Sequence, residues 1–114
     1  MTDMIKMVYE ATEREVLRAN EVHGDLHSRN EGYGVIAEEI DEVMEHIHCI
    51  EHYFSSLLRV IRCDLRELGA DLKCIKREAQ LAACESIQVA AVAQRFIDLI
   101  NREDHDESLH AGDG

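Results

Sequence analysis

The sequence predicts an all-α fold, an antiparallel helical bundle with long central helices that is completed by oligomerisation. Three observations carry that expectation. Proline is absent, and only five residues are aromatic: Tyr9, Tyr33, Tyr53, Phe54 and Phe96. Helix formers dominate and β-branched runs are missing. Apolar residues recur at helical spacing for almost the whole length. With 114 residues, this is one domain with one core over residues 1–101, followed by a polar tail.

Periodicity predicts a first helix over residues 3–22, where Ile5, Tyr9, Thr12, Val16 and Ala19 form a weak stripe and Gly24 supplies the stop. Residues 24–30 read as a loop. Ser28 and Glu31 form an S-x-x-E capping box that opens the second helix. Ile36, Ile40, Val43, Ile47, Ile50, Phe54, Leu57, Ile61, Leu65 and Leu68 keep close to a heptad period, so that helix is expected to run to Leu68. Ser55-Ser56 is the expected kink or break and Gly69 the residue just past the end. Sustained heptads in a short chain point to pairing between subunits, a homodimer or homotetramer. Asp71 is the expected cap of a third helix reaching Asn101. Its inner stripe would be Leu72, Ile75, Ala79, Ala82, Ser86, Val89, Ala93, Phe96 and Ile100. Residues 102–114 are polar and aperiodic, and are expected to be a disordered acidic tail.

The net charge of −12 and the lack of a continuous basic stripe argue against nucleic-acid binding through phosphates. They leave room for a nucleotide whose phosphates ride on a metal. No apolar run is long enough for a transmembrane helix, and the charged N-terminus is unlike a signal peptide. Cys49, Cys63, Cys74 and Cys84 form no CxxC pair, which fits reduced thiols in a cytoplasmic protein.

The second helix holds the chemistry. No Lys or Arg lies between Arg29 and Arg59, yet seven acids do: Glu31, Glu38, Glu39, Asp41, Glu42, Glu45 and Glu51. Like charges at i,i+3 and i,i+4 repel. A cation would relieve them; the alternative is a solvated acidic face. At about 100° per residue, Glu39 and Glu42 fall on the shoulder of the apolar stripe, while Glu38 and Glu45 point further out. Carboxylates half-facing a core are costly unless paired or metal-bound, and Mg²⁺ takes oxygen ligands of this kind. On the third helix Glu85 bears the same angle to its stripe that Glu39 bears to its own, and Gln88 is the counterpart of Glu42. If the two helices pack antiparallel, these four side chains converge. The competing expectation for Glu85 is an ion pair to a Lys or Arg, with Arg95 one candidate. His46 lies close in angle to Glu39 and Glu42.

The segment HSRNEGYGVIAEEIDEVMEHI resembles the opening of the MazG-like all-α nucleoside triphosphate pyrophosphohydrolases, whose pattern is EExxE followed by ExxD. Here the first half is Glu38-Glu39-x-x-Glu42. ESIQVAAVAQRFID resembles the second half in a subgroup common in phage and prophage genomes. The matching segments cover residues 23–50 and 77–100. The resemblance implies a helical bundle assembled as a dimer or higher oligomer that hydrolyses nucleoside triphosphates to monophosphate and pyrophosphate. Its cofactor would be Mg²⁺, with Mn²⁺ as a substitute. Glu39, Glu42 and Glu85 match metal ligands, and Gln88 stands where the family pattern has Asp. Glu38 matches an adjacent acid that positions water or a second metal. Forty-two residues separate Glu42 from Glu85, more than is usual in the family.

That longer stretch holds half of the basic residues: Arg59, Arg62, Arg66, Lys73, Lys76 and Arg77. Arg59, Arg62 and Lys76, together with Arg95, are candidates for phosphate contact; the alternative is a solvated or acid-paired face. A non-catalytic assembly protein on the same scaffold is the second functional expectation. A di-iron bundle is the third, because Glu45-His-Ile-His48 is an ExxH and a second ExxH runs from Glu107 to His110.

Overall fold

The computed structural model describes residues 2–63 and 65–112, without the side chains of 65–67 and 109–112. It is all-helical. Helix α1 spans Thr2–His23, α2 spans Arg29–Cys63 and α3 spans Leu65–Gly112. None of them is long and apolar enough to cross a membrane, among the described residues.

The turns follow the local chemistry. Gly24 ends α1 in a left-handed conformation, φ 76°, which a residue without Cβ adopts at no steric cost. Its amide still donates to the Asn20 carbonyl at 2.8 Å. Ser28 opens α2 by accepting from the Glu31 amide on its Oγ at 3.1 Å, the N-cap bond that the capping box predicts. The Ser55 and Ser56 hydroxyls donate to the carbonyls of His52 and Tyr53. Both residues lie inside one unbroken helix, so the expected break is absent there.

Two boundaries differ from expectation. The second helix stops at Cys63 rather than Leu68, and α3 already includes Gly69 and Asp71. Neither punctuates the chain, because a helix held by tertiary packing tolerates a residue of poor propensity. Likewise the polar segment from Arg102 onward continues α3 to Gly112. Arg29 Nε donates to Glu103 at 2.9 Å, and Arg102 donates to the Leu26 carbonyl at 3.0 Å. These bonds supply the anchoring that the sequence pattern alone does not reveal.

The chain divides into two compact units. Residues 1–38 with 87–114 form the first, and Glu39–Ser86 form the second. In the first unit, α1 runs parallel to the end of α3, since Glu15 hydrogen-bonds Gln88 and Asn20 bonds Arg95. The start of α2 runs antiparallel to α3, with Arg29 near Glu103 and Gly32 near Phe96. The core of this unit is Ala19, Leu26, Ala91, Val92 and Leu99. The buried face of α3 is therefore rotated from the expected Val89, Ala93, Phe96 and Ile100, which are half-buried. Helices α1 and α2 both cover α3, so its sealed strip lies under the two of them.

The second unit is an antiparallel helical hairpin. As the α2 partner advances from Glu42 through His46 to Tyr53, the α3 partner retreats from Glu85 through Glu78 to Cys74. Val60 is its one buried apolar residue among those described, and Ile40, Phe54 and Ile61 of the predicted stripe are exposed.

Candidate metal centre

The hairpin brings Glu39, Glu42 and Glu85 together. One ligand oxygen from each lies within 4.8 Å of the others. Helix geometry explains how. Glu39 and Glu42 are three apart on α2 and so share a face, and the antiparallel register sets α3 beside them at Glu85. Glu42 is exposed, whereas Glu39 and Glu85 are half-buried. One oxygen of Glu39, Oε2, is sealed from solvent.

The electrostatics record the crowding. Glu85 holds its proton above the usual carboxylate range. The first cause is a hydrogen bond with Glu42, followed by burial and by the charges of Glu42 and Glu39; His46 opposes the shift. Carboxyl groups at contact distance disfavour each other's ionised form, which is the direction seen at Glu85. A divalent cation would relieve that repulsion. The donor set fits a hard ion: three carboxylates from two rigid helices, with one ligand open to water.

Beside this group lies a pair that the sequence reading only half anticipated. His46 Nδ1 approaches Glu78 Oε2 at 2.6 Å, and Glu78 is buried. The bond to His46, then Arg77, holds the Glu78 carboxyl below its usual range, so the imidazole is the donor. Glu78 was legible in principle, because it stands two helical turns before Glu85 on the same face.

Gln88 belongs to the first unit, where its side chain hydrogen-bonds Glu15. Glu38 is exposed at the end of that unit's share of α2. Arg59, Arg62 and Lys76 are exposed in the second unit. Arg95 is buried and donates from Nε to Asn20 Oδ1 at 2.8 Å and from a terminal nitrogen to the Gly24 carbonyl at 2.9 Å. It caps α1, and the partner that Glu85 meets is Glu42. His48 is outside the acidic group. The basic Arg66 and the second ExxH's His110 lie outside the described side chains.

Comparison with protein-family models, with curated proteins and with solved structures gives no match.

Proposed function

We propose that the chain is a Mg²⁺-dependent nucleoside triphosphate pyrophosphohydrolase of the MazG-like type, assembled as a homodimer or homotetramer and working in the cytoplasm. The observation that supports this reading is the meeting of Glu39, Glu42 and Glu85 within 4.8 Å from two helices. Their order along the chain is that of the EExxE and later Glu motifs.

In this reading Glu39, Glu42 and Glu85 hold the ion. When bound, Mg²⁺ or Mn²⁺ supplies Lewis-acid polarisation of phosphoryl oxygens and makes a water more acidic. The carboxylate forms of these groups would be the ones that hold the ion, so binding would weaken as pH falls. Glu38, the neighbouring acid in sequence, is the residue that the family resemblance assigns to orienting water. Arg59, Arg62 and Lys76, all exposed in the same unit as the three acids, stay the basic candidates for phosphate contact, although Arg59 and Arg62 lie several helical turns along α2 from Glu42. Arg95 is spent on Asn20 and Gly24 and is set aside as a phosphate contact.

One observation favours a second reading, a non-catalytic assembly protein on the same scaffold. The amide of Gln88, which stands at the family's fourth ligand position, is engaged with Glu15. Incubation with a panel of nucleoside triphosphates and Mg²⁺ or Mn²⁺, read as pyrophosphate release, separates the two. Release that disappears in Glu39→Ala and Glu85→Ala supports the hydrolase. No release with any nucleotide supports the scaffold. The di-iron alternative predicts a visible or near-ultraviolet band on iron loading, and its absence would remove that alternative.

A further inference from the structure

The seam of the second unit continues past the three acids, and its next pair is ionisable as well. His46 follows Glu42 by one helical turn on the same strip of α2, and Glu78 precedes Glu85 by two turns on the facing strip of α3. The two meet across the hairpin at 2.6 Å, from His46 Nδ1 to Glu78 Oε2. Glu78 is 7% exposed, and Arg77 reaches its other oxygen at 3.4 Å. The His46 side chain is 24% exposed.

Packing gives no reason for this pair. Replacing a buried ion pair by apolar side chains of similar volume often costs nothing. A hairpin with Val60 as its one buried apolar residue among those described would gain from such a replacement. What the pair does supply is a fixed ring. With Nδ1 donating to Glu78, a neutral imidazole keeps its lone pair on Nε2, which can then only accept. A carboxylate behind a histidine is how proteins set that tautomer beside an ion.

Position decides what Nε2 serves. The oxygens of Glu39, Glu42 and Glu85 that come within 4.8 Å of one another form a group without His46, so the ring is no member of that ligand set. It is still a close neighbour, because its charge bears on Glu85. Four residues of α2 separate it from Glu42, a rise of about 6 Å, which is the span of one intervening water. Hard ions such as Mg²⁺ keep several of their waters, and those waters need acceptors.

We propose that His46 is a positioning residue of the ion site: held by Glu78, its Nε2 accepts a hydrogen bond from a water that the ion carries. The inference rests on the three acids holding an ion, as the proposed function has it, and it needs no pyrophosphate release.

The test reads the ring itself and the ion affinity, both on the full chain. In ¹⁵N-labelled protein at pH 7.5, long-range proton–nitrogen NMR reports the His46 tautomer, the signal being assigned by its loss in His46→Asn. With saturating Mg²⁺ the ring is expected to be neutral with its proton on Nδ1. Its Nε2 resonance is expected to move on Mg²⁺ addition by more than that of any other histidine. Mn²⁺ affinity, followed by the electron paramagnetic resonance of the free ion, is expected to fall roughly 10-fold or more in His46→Ala. His46→Gln should stay within a few-fold of wild type, because its amide oxygen reaches the place of Nε2. His46→Asn, whose amide still donates to Glu78, should fall with His46→Ala. A purely structural pair gives the reverse order, with Asn the residue that rescues, and that order overturns the proposal. So does a ring that carries its proton on Nε2 with Mg²⁺ bound, a reading on the wild type that stands even if a variant does not fold. A wild type that binds no divalent ion overturns it together with the hydrolase reading. The expected His46 behaviour without pyrophosphate release would sink the hydrolase reading alone. Pyrophosphate release by His46→Ala at wild-type Mn²⁺ affinity would sink this inference alone.

Discussion

The two units treat charge differently, although His46 and Arg77 pair with Glu78 in the second. In the first, each cation that matters structurally meets a complementary group. Arg18 pairs with Glu15, Arg29 with Glu103, Arg102 with Asp25 and the Leu26 carbonyl, and Arg95 with Asn20 and Gly24. These bonds close the turn between α1 and α2 over Leu26, which is 2% exposed. In the second unit, acid meets acid at Glu42 and Glu85 while Arg59, Arg62 and Lys76 stay exposed. Cations were available in that hairpin and are not used there. The contrast teaches that one unit is built for stability, whereas the other keeps a like-charge cluster that stability alone would remove.

If the proposed hydrolase reading holds, the largest effect that sharpens this contrast is on catalysis. Glu39→Ala and Glu85→Ala are each expected to cut pyrophosphate release by roughly 100-fold or more, because a lost ligand forfeits several kcal/mol of charge stabilisation. Their melting temperatures in the absence of divalent ions should not fall. Residual activity within a few-fold of wild type would break the assignment of the second unit as the chemical one.

Next in size is a change confined to the first unit. Arg95→Leu leaves the Asn20 side chain and the Gly24 carbonyl without their donor. Stability should drop by about 1–3 kcal/mol, the cost of unsatisfied buried polar groups, as read by urea denaturation. Divalent-ion affinity should hold at temperatures where the variant is folded.

An effect of similar size, but with opposite signs, is expected at two neighbouring glycines. A Cβ at Gly32 would sit 2.5 and 2.6 Å from ring carbons of Phe96, whereas one at Gly34 meets nothing within 4 Å. Gly32→Ala should therefore destabilise by about 1–3 kcal/mol through overpacking. Gly34→Ala should stabilise by roughly 0.5–1 kcal/mol through helix propensity. A denaturation series that ranks both variants the same way would contradict the close α2–α3 approach.

The finest test is pH dependence at the acidic group. Glu85 binds its proton more tightly in the folded state than in the unfolded chain. Its stabilising contribution is therefore complete below the unfolded carboxyl range and is lost as pH rises through the raised folded value. Glu85→Gln should melt a few degrees above the wild type at pH 7.5 without divalent ions, and the gap should narrow on acidification toward pH 4. Glu78 acts with the opposite sign. Its lowered value gives stability that is present at neutral pH and disappears as pH falls through that value, so His46→Ala should flatten the acid limb of the melting curve.

Much of this was legible in the chain. The stop at Gly24 and the cap at Ser28 could be read because single residues with distinctive conformational or hydrogen-bonding chemistry fix them. The convergence of Glu39, Glu42 and Glu85 followed from angle alone, since helical spacing fixes the face and an antiparallel hairpin fixes the neighbour. What could not be read depended on tertiary partners. Gly69 and Asp71 have the chemistry of a terminus but lie inside α3. The helical path beyond Arg102 rests on Arg29 and Leu26, more than seventy residues earlier. Arg95 looked like a free cation because nothing in its neighbourhood in sequence announces Asn20. Glu78 went unnoticed because its meaning comes from His46 across the hairpin.

The central claim is that three carboxylates from two helices hold one divalent ion. Its most direct test is a Mn²⁺ titration of the full-length protein, followed by the electron paramagnetic resonance signal of free Mn²⁺. The account predicts saturable binding of one ion per chain at neutral pH, competed by Mg²⁺, weakened on acidification and lost in Glu39→Gln, Glu42→Gln and Glu85→Gln. Binding that is non-saturable, or that survives all three substitutions unchanged, would contradict it.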